Sequence, residues 1–360
     1  MGITDKIVEI EQQIAKTQVN KATEHHLGLI KAKLARLKKD AETVGKKGSG
    51  SGKGFEVRKS GNATVVFIGY PSVGKSTMLN ALTGAESKTA AYAFTTLTCI
   101  PGMMPYKGAD IQLLDLPGII AGAKEGKGRG KEVLAVARNA DLILIILDVF
   151  TAQQRDKIIE ELHGIGIRVD QEFPNIHIHQ NDKGGINIIY GVKQTHLKED
   201  TIRGILNEYG IFNANINFRQ DATADQLIDV LIGNRKYVPS LTVINKVDLV
   251  KPDFFKTLHY SFIPISAGSG YNIDKLKEGI YQKLNLIHVY TKRKGEKVDD
   301  KALMMRNGST VGDVCDELHR DMRKLFKYAQ IWGKSAKFPG QKVGIDHLMQ
   351  DDDVVQIFKR

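Results

Sequence analysis

Apolar residues in the first 40 positions recur every three or four residues, which is the spacing of one face of an α-helix. Each of two stretches has one apolar stripe to bury, so the pattern predicts two helices folded back as a hairpin. The spaced residues are Ile3, Ile7, Ile10 and Ile14, and then Leu27, Ile30, Leu34 and Leu37. The segment GKKGSGSGKG, residues 45–54, follows and is typical of a flexible linker.

From residue 62 the pattern changes, and short apolar runs alternate with helix-like stretches. Buried parallel strands are continuous apolar runs of this kind, so the pattern predicts a doubly wound α/β sheet. The runs are TVVFI, IQLLD, LILIILDV, LTVIN and FIPIS. Ligands of such sheets lie at the carboxyl ends of the strands, which is where we expect the functional residues.

Two further stretches depart from that alternation. Residues 150–235 contain the alternating run NIHIHQ, a turn at DKGGIN and a helix-like segment, and we interpret them as an inserted α/β module. Residues 288–360 combine strand-like runs with a helix whose N-cap is Ser309 or Thr310, which predicts a small α+β domain. The predicted domains are 1–54 (hairpin and linker), 62–149 with 236–286 (α/β domain), 150–235 (module) and 288–360 (last domain).

Composition narrows the class of protein. The chain has 360 residues, 42% apolar and 26% charged, which suits a folded protein of several domains. The formal net charge is +11 and the pI is 9.3. A basic excess favours polyanionic partners such as nucleic acid or the ribosome, although it also serves solubility alone.

Cysteine usage and hydropathy bear on the compartment. Cys99 and Cys315 form no CxxC pattern, so a disulfide framework and a zinc site are not indicated, and the pair fits a reducing cytosol. The N-terminus is too polar for a signal peptide, and the run LILIIL is too short for a membrane span. We therefore expect a cytoplasmic protein with no membrane contact.

Two groups of residues have alternative interpretations. The cations of the second helix form either a solvated face or a surface for RNA. They are Lys31, Lys33, Arg36, Lys38 and Lys39. His177 and His179 would share one strand face and could ligate a metal. Since no third ligand is visible in the sequence, ordinary strand histidines are a simpler interpretation than a metal site.

The segment GYPSVGKST follows the run TVVFI and precedes a helix-like stretch. It matches the phosphate-binding pattern G-x-x-x-x-G-K-[ST], whose backbone N–H groups surround the β-phosphate at the positive end of a helix. Lys75 would reach the β- and γ-phosphates, and Ser76 would ligate Mg²⁺. The residues expected to bind the nucleotide are Gly69, Tyr70, Pro71, Ser72, Val73, Gly74, Lys75, Ser76 and Thr77.

The motif NKVD, which contains Asn245, Lys246 and Asp248, predicts which base is bound. A carboxylate at Asp248 can accept from both N1–H and the exocyclic amine of guanine, whereas adenine has no such donor pair. Ser266 and Ala267 follow the run FIPI, where a backbone N–H can hold guanine O6. The motifs therefore favour GTP and GDP over the alternative of an ATP-dependent enzyme.

The motif DLPG, residues 115–118, ends the run IQLLD. We expect Asp115 to hold the Mg²⁺ shell through water and the Gly118 N–H to contact the γ-phosphate, so that hydrolysis releases the glycine-rich, basic loop that follows. Thr95 and Thr96 are candidates for a switch threonine on Mg²⁺, and we favour Thr96. The predicted catalytic residues are Lys75, Thr96 and Gly118, and the predicted Mg²⁺ ligands are Ser76, Thr96 and Asp115.

These segments resemble the developmentally regulated GTP-binding protein family, within the Obg superfamily of translation-factor-type GTPases. The resemblance covers essentially the whole chain and is carried by GYPSVGKST, AYAFTTLT, IQLLDLPGIIAGAKEGKGRGKEV and QKVGIDHLMQDDDVVQI. It implies an N-terminal helical hairpin, a G domain, an inserted module similar to a ribosomal-protein domain and a C-terminal TGS domain of β-grasp fold. It also implies association with the ribosome, a role in translation and a regulatory protein partner in eukaryotes. We expect the ribosome, or else rRNA or tRNA, as the partner.

One position departs from Ras-like enzymes, which place a water-orienting glutamine after the glycine of this motif. Here that position is Ile119, so we expect slow turnover and another group, from a partner, the backbone, a cation or the switch loop, to place the water. Some relatives in the superfamily bind K⁺ with a P-loop asparagine; Ser72 stands there in this chain, and its hydroxyl makes K⁺ a further candidate cofactor. The sequence thus predicts a monomeric, slow, Mg²⁺-dependent GTPase that switches on the ribosome or another RNA assembly; the alternative is an RNA-binding scaffold with a structural nucleotide site.

Overall fold

The structure is a computed structural model that describes residues 2–18, 20, 23–44, 60–83, 100–116, 136–293 and 295–360. It divides into two units, the first made of Met1–Gly54 and Gln171–Tyr237 and the second of Phe55–Asp170 and Val238–Arg360. Within the described ranges, no helix combines the length and the apolar character needed to cross a membrane.

The helices and strands are numbered here in chain order. The helices are α1 (Ile3–Lys16), α2 (Glu24–Val44), α3 (Lys75–Thr83), α4 (Arg155–Gly164), α5 (Glu199–Glu208), α6 (Ala224–Ile232), α7 (Ile273–Leu284) and α8 (Val311–Leu318). The strands are β1 (Ala63–Ile68), β2 (Ile100–Tyr106), β3 (Ala109–Asp115), β4 (Leu142–Asp148), β5 (Ile167–Val169), β6 (Ile176–Gln180), β7 (Ile186–Tyr190), β8 (Ala214–Phe218), β9 (Lys236–Val238), β10 (Ser240–Asn245), β11 (Ile263–Pro264), β12 (Leu286–Thr291), β13 (Leu303–Arg306), β14 (Phe326–Trp332), β15 (Gln341–Val343) and β16 (Asp353–Lys359).

Six strands of the second unit form one sheet in the order β11-β10-β4-β1-β3-β2. The strands from β11 to β3 are parallel, and β2 runs antiparallel to β3. Strands β1 and β4 are buried along their whole length, as continuous apolar runs in a doubly covered sheet must be. The predicted doubly wound α/β sheet is confirmed.

Each face of this sheet is covered by its own apolar core. Val65 and Phe67 of β1 pack on the face covered by α3 and α7, whereas Val66 and Ile68 pack on the face covered by α4. Successive side chains of a strand alternate between the faces, so β1 contributes to both cores. A shift of β1 by one residue in the sheet would move the side chains of each core to the opposite face. The burial of β1 on both faces therefore fixes its register, and with it the start of the phosphate-binding loop.

Strand β2 has no counterpart in the prediction. Its sequence, IPGMMPY, contains Pro101, Gly102 and Pro105, which are typical of loops. Among the described strands it lies at the edge of the sheet and pairs with β3 alone, so a missing N–H donor is tolerated there.

The structure places residues 150–170 in the second unit and corrects the domain boundary that we expected at residue 150. Ile158 and Leu162 of α4 lie in the same apolar core as Ile68 of β1. This helix therefore covers the large sheet, and the inserted part of the chain begins at Gln171.

In the first unit, the inserted segment and the N-terminal hairpin fold together. The strands form a sheet in the order β6-β8-β7, and one core joins α2, α5, α6 and this sheet. Helices α2 and α5 approach closely, since a Cβ placed on Gly204 would lie 2.6 Å from Cδ2 of Leu29. Helix α1 packs on α2, as the hairpin prediction requires. The hairpin and the module are thus one folding unit rather than two.

The cations of α2 contribute to this packing, which argues against the RNA-surface alternative. Four of the five have partners inside the first unit, although Arg36 and Lys39 are exposed, as Lys33 is. The pairs are Lys31 with Asp225 (2.7 Å), Lys38 with Glu11 (2.7 Å), Arg36 with the carbonyl oxygen of Glu208, and Lys39 with the carbonyl oxygen of Ile232 (3.1 Å). Their charges hold the helix to its neighbours.

His177 and His179 lie on one exposed face of β6, opposite Asn217 and Asn215 of β8. Nε2 of His177 is 3.1 Å from Oδ1 of Asn175. Among the residues with described positions, no cluster of three metal-ligating side chains includes either histidine. The interpretation as ordinary strand histidines is therefore favoured.

The last part of the chain forms a five-stranded sheet in the order β13-β12-β16-β14-β15, with α8 against one face. Strands β12 and β16 are parallel, and the other pairs are antiparallel. The N-cap of α8 is Thr310, whose Oγ1 accepts from the Asp313 N–H at 3.3 Å. This is the α+β arrangement, with a β-grasp order of strands, that the TGS resemblance implies.

His288 connects this last domain to the turn between β2 and β3. Nε2 of His288 is 3.1 Å from the carbonyl oxygen of Lys107, and Nδ1 is 3.0 Å from Oδ1 of Asp351. Both partners are acceptors, so only the imidazolium can donate to both. Burial lowers the pKa of His288, but the bonds to Lys107 and Asp351 outweigh it, and the pKa lies above its usual value.

We therefore expect the free energy of unfolding of the second unit to fall as the pH rises through the folded-state pKa of His288. A raised folded-state pKa gives stability that is fully present below the unfolded value of about 6.5 and lost above the folded one. The check is denaturant unfolding between about pH 5 and pH 8 for the wild type and His288→Gln. Parallel pH profiles for the two proteins would contradict the expectation.

Candidate functional site

The phosphate-binding motif lies between β1 and α3, in the strand–loop–helix context that it requires. Its two glycines are needed for close approach of the backbone. A Cβ on Gly69 would lie 2.2 Å from the carbonyl oxygen of Ile146, and one on Gly74, whose φ is +92°, would lie 2.4 Å from Nδ2 of Asn245. The loop is thus packed directly against β4 and the NKVD motif.

Lys75 begins α3 and is folded back onto this loop. Its ammonium donates to the carbonyl oxygens of Gly69 at 3.0 Å and Tyr70 at 2.8 Å. Burial lowers the pKa of Lys75, and the charge of Asp115 opposes that shift. A lysine has three N–H donors, so one remains for a phosphate oxygen.

Ser76 and Asp115 are brought together at the start of α3 and the end of β3. Oγ of Ser76 donates to Oδ2 of Asp115 at 3.2 Å. Oδ1 of Asp115 is buried and has no hydrogen-bond partner among the described residues. Burial raises the pKa of Asp115, while the charge of Lys75 and the bond from Ser76 oppose the rise. A buried carboxylate oxygen in need of a partner, beside a hydroxyl, fits a Mg²⁺ ion with its water shell.

The remaining switch residues lie outside the described part of the chain. They are Thr95, Thr96, Gly118 and Ile119. Their predicted roles remain predictions.

Asn245, at the end of β10, connects three segments of the site. Its Nδ2 donates to the carbonyl oxygen of Val73 at 2.8 Å, and its Oδ1 accepts from the Ala267 N–H at 3.0 Å. The amide of a single buried side chain thus holds the phosphate-binding loop and the loop after β11 at fixed positions. This explains the requirement for a residue with both a donor and an acceptor at this position.

Lys246 follows in a left-handed backbone conformation, with φ of +61°. Its ammonium donates to the carbonyl oxygen of Ser72 at 2.8 Å and to Oδ2 of Asp148 at 2.8 Å. Asp148 belongs to none of the motifs that the sequence predicts for this site. The only sequence signal is that an acidic residue ends the buried run of β4 at the edge where ligands bind.

The predicted base-reading residues lie beyond Lys246. Asp248 is in a short helical turn and is exposed, so its carboxylate is accessible to a base. The Ser266 N–H donates to the carbonyl oxygen of Tyr271 at 3.2 Å, and the Ala267 N–H donates to Asn245. Both N–H groups are therefore already used, and a contact to guanine O6 requires one of them to be shared. That contact remains a prediction.

Three family models match consecutive parts of the chain. A model described as "50S ribosome-binding GTPase" matches residues 64–179, and one described as "C-terminal region of MMR_HSR1 domain" matches residues 183–286. A TGS-domain model matches residues 287–359. The chain therefore contains a GTPase domain and a TGS domain.

Several curated proteins are similar over the full length of the chain. An uncharacterized GTP-binding protein of Methanocaldococcus jannaschii is 52% identical over 365 residues, which cover 99% of this chain and 93% of that protein. Developmentally-regulated GTP-binding protein 1 of Xenopus laevis is 50% identical over 367 residues, and developmentally-regulated GTP-binding protein 2 of Homo sapiens is 48% identical over 364 residues. Both matches cover 100% of each chain. The similarity thus includes the hairpin, the module and the last domain as well as the nucleotide site.

Proposed function

Since the chain belongs to the developmentally regulated GTP-binding protein family, we propose that it hydrolyses GTP slowly to GDP and phosphate and acts as a ribosome- or RNA-associated switch in translation. The observation that carries the proposal is the assembly of the phosphate-binding loop, Asp115 and NKVD at one edge of one sheet. It joins groups suited to phosphates, to a divalent cation and to a guanine base.

The predicted site residues have the following roles in this proposal. Lys75 binds the β- and γ-phosphates with its remaining donor, and the loop Gly69–Thr77 supplies backbone N–H groups. Ser76 and Asp115 would hold Mg²⁺, which when bound neutralises charge on the phosphates. Thr96 and Gly118 are proposed to respond to the γ-phosphate. The side chain of Ser72 is exposed, so its hydroxyl could ligate K⁺, which we retain as a further candidate cofactor.

Replacing Asp248 with asparagine is expected to weaken GTP at least about tenfold, or ~1.4 kcal/mol, and to favour xanthosine triphosphate. The amide presents a donor to the xanthine carbonyl where guanine presents an amine. A competition assay between GTP and xanthosine triphosphate measures the change in base preference. Asp253→Asn, which changes an exposed acid of the next helical turn, is the matched control. Unchanged GTP affinity in Asp248→Asn would mean that this side chain does not read the base.

The switch is tested by co-sedimentation with ribosomes in the presence of GTP, GDP or a non-hydrolysable GTP analogue. The matched family model is that of a ribosome-binding GTPase, and the net charge of +11 favours a polyanionic partner. We expect more protein in the ribosome pellet with the analogue than with GDP, and less as salt is raised. The same amount in all three nucleotide states would refute a nucleotide-controlled switch.

The second candidate is an RNA-binding scaffold whose nucleotide is structural, which the basic charge also supports. Release of phosphate from GTP by the purified protein distinguishes the two, because a structural nucleotide is not turned over. We further propose a cytoplasmic monomer and, on the basis of the family resemblance, a regulatory protein partner.

A further inference from the structure

We propose that Asp148, which belongs to none of the nucleotide-binding motifs, positions Lys246 and thereby sets the affinity of the site for guanine nucleotides. The inference rests on the proposed nucleotide site and is independent of hydrolysis and of the ribosome.

Asp148 lies where it can act on the NKVD motif from the neighbouring strand. It ends β4, and the strand register places it beside Asn245, the last residue of β10. The residue is only 5% exposed. Its Oδ2 accepts from the ammonium of Lys246, which also donates to the carbonyl oxygen of Ser72. The lysine is therefore held at its tip by β4 on one side and by the phosphate-binding loop on the other.

The other oxygen of Asp148 fixes the orientation of the carboxylate. Oδ1 accepts from the backbone N–H groups of Phe150 at 3.1 Å and Thr151 at 3.0 Å, and from Oγ1 of Thr151 at 2.9 Å. Burial raises the pKa of Asp148, but the bonds from Lys246 and Thr151 outweigh it, and the pKa lies below its usual value. The carboxylate is thus ionised and oriented at neutral pH, with one oxygen directed at Lys246.

Holding the tip of Lys246 also holds the segment that reads the base. The backbone of Lys246 is in the left-handed region and directly precedes the helical turn Val247–Leu249, which contains Asp248. The side chain of Lys246 extends from this turn to the carbonyl oxygen of Ser72 in the phosphate-binding loop. A nucleotide that binds both segments would therefore lie close to it. Four CH₂ groups stretched between fixed ends offer an ordered apolar surface, whereas a free lysine must be ordered at the moment of binding.

The test begins with D148N, which keeps the size of the side chain and an oxygen for the Thr151 turn. Its NH₂ group cannot accept from Lys246. Calorimetry is expected to show the binding of GTP and GDP weakened alike, by about tenfold or more, since the carboxylate partner of Lys246 is lost from a partly buried ion pair. Both oxygens of Asp148 are bonded within the protein, to Lys246 and to the turn at Thr151, so the ratio of GTP to ITP affinities should stay at its wild-type value.

A double-mutant cycle with K246M separates positioning from a general structural effect. If Asp148 acts through Lys246, D148N causes no further loss of GTP affinity in the K246M background. D156N is the matched control, because it makes the same acid-to-amide change at the exposed Asp156 of α4 and leaves the Lys246 pair; we expect wild-type GTP affinity. Circular dichroism checks the fold of each variant. If D148N is unfolded at the assay temperature, D148S replaces it, since serine also caps such turns.

Two results would overturn the proposal: wild-type GTP affinity in folded D148N, or losses that simply add in the double mutant. A wild-type protein that fails to bind GTP would instead refute the nucleotide site itself, so the two failures are distinguishable.

Discussion

Replacing Lys75 with alanine is expected to abolish tight binding of GTP and GDP and to leave the fold intact. The ammonium donates to the carbonyl oxygens of Gly69 and Tyr70 and keeps one donor for phosphate. Losing one charge-assisted contact costs about 1.5–3 kcal/mol, or roughly ten- to a hundredfold in affinity. In the variant the two carbonyl oxygens would also face the phosphates without a cation, which adds to the loss.

Calorimetry with GTP and with GDP measures this loss, and circular dichroism checks the fold. Lys157→Ala is the matched control, because it removes a cation from an exposed position of α4 in the same unit. Unchanged affinity for both nucleotides in Lys75→Ala would mean that the phosphates bind elsewhere.

The sequence predicted the centre of this site because strand ends and motif spacing constrain it together. β1 and β10 contain mainly apolar, buried runs, so their ends could be placed, and parallel strands bring their carboxyl ends to one edge. The contact between Asn245 and Val73 follows from that geometry. The proximity of Ser76 to Asp115 is likewise expected, since both residues are predicted at one Mg²⁺ site, whereas their direct hydrogen bond is not predicted.

Other features depend on tertiary contacts that local patterns do not record. Asp148 becomes relevant only because β4 and β10 are neighbours, which sets it beside Lys246. β2 is a strand despite its prolines because it needs hydrogen bonds on one side only. Helix α4 has the same amphipathic pattern whether it covers the large sheet or belongs to the module, so the boundary at residue 170 could not be derived from periodicity.

The cations of α2 show the same limit. The sequence pattern of lysines and arginines on a helix is the same whether the helix face contacts solvent, RNA or another helix. Lys31 and Lys38 have acidic partners at 2.7 Å, but these lie at Asp225 and Glu11, in other helices. Only the fold brings them together, and it changes the expected effect of removing the hairpin.

Deleting residues 1–54 is expected to unfold the module of the first unit while guanine-nucleotide binding persists in the second. Ala32 of α2 is fully buried in the core of the module, and Leu29 and Ala35 pack against that core. Exposing a core side chain of leucine size costs about 1.5–3 kcal/mol, and a domain has only about 5–15 kcal/mol of stability in total. The described residues of the nucleotide site all lie in the second unit, which keeps its own two cores.

Hydrogen exchange measures the outcome segment by segment, with fast exchange expected in residues 171–237 and protection retained in β1, β4 and β10. Deletion of residues 1–16 is the matched control, because it removes α1 and leaves α2 on the module. A truncated protein that keeps full protection in residues 171–237 would contradict the role of α2 in that core. Any loss of ribosome binding on deleting residues 1–54 is therefore expected to follow from unfolding of the module. Lys33→Ala, which changes an exposed cation of α2 in a folded protein, should retain ribosome binding. Weakened ribosome binding in folded Lys33→Ala would restore the RNA-facing interpretation of this helix.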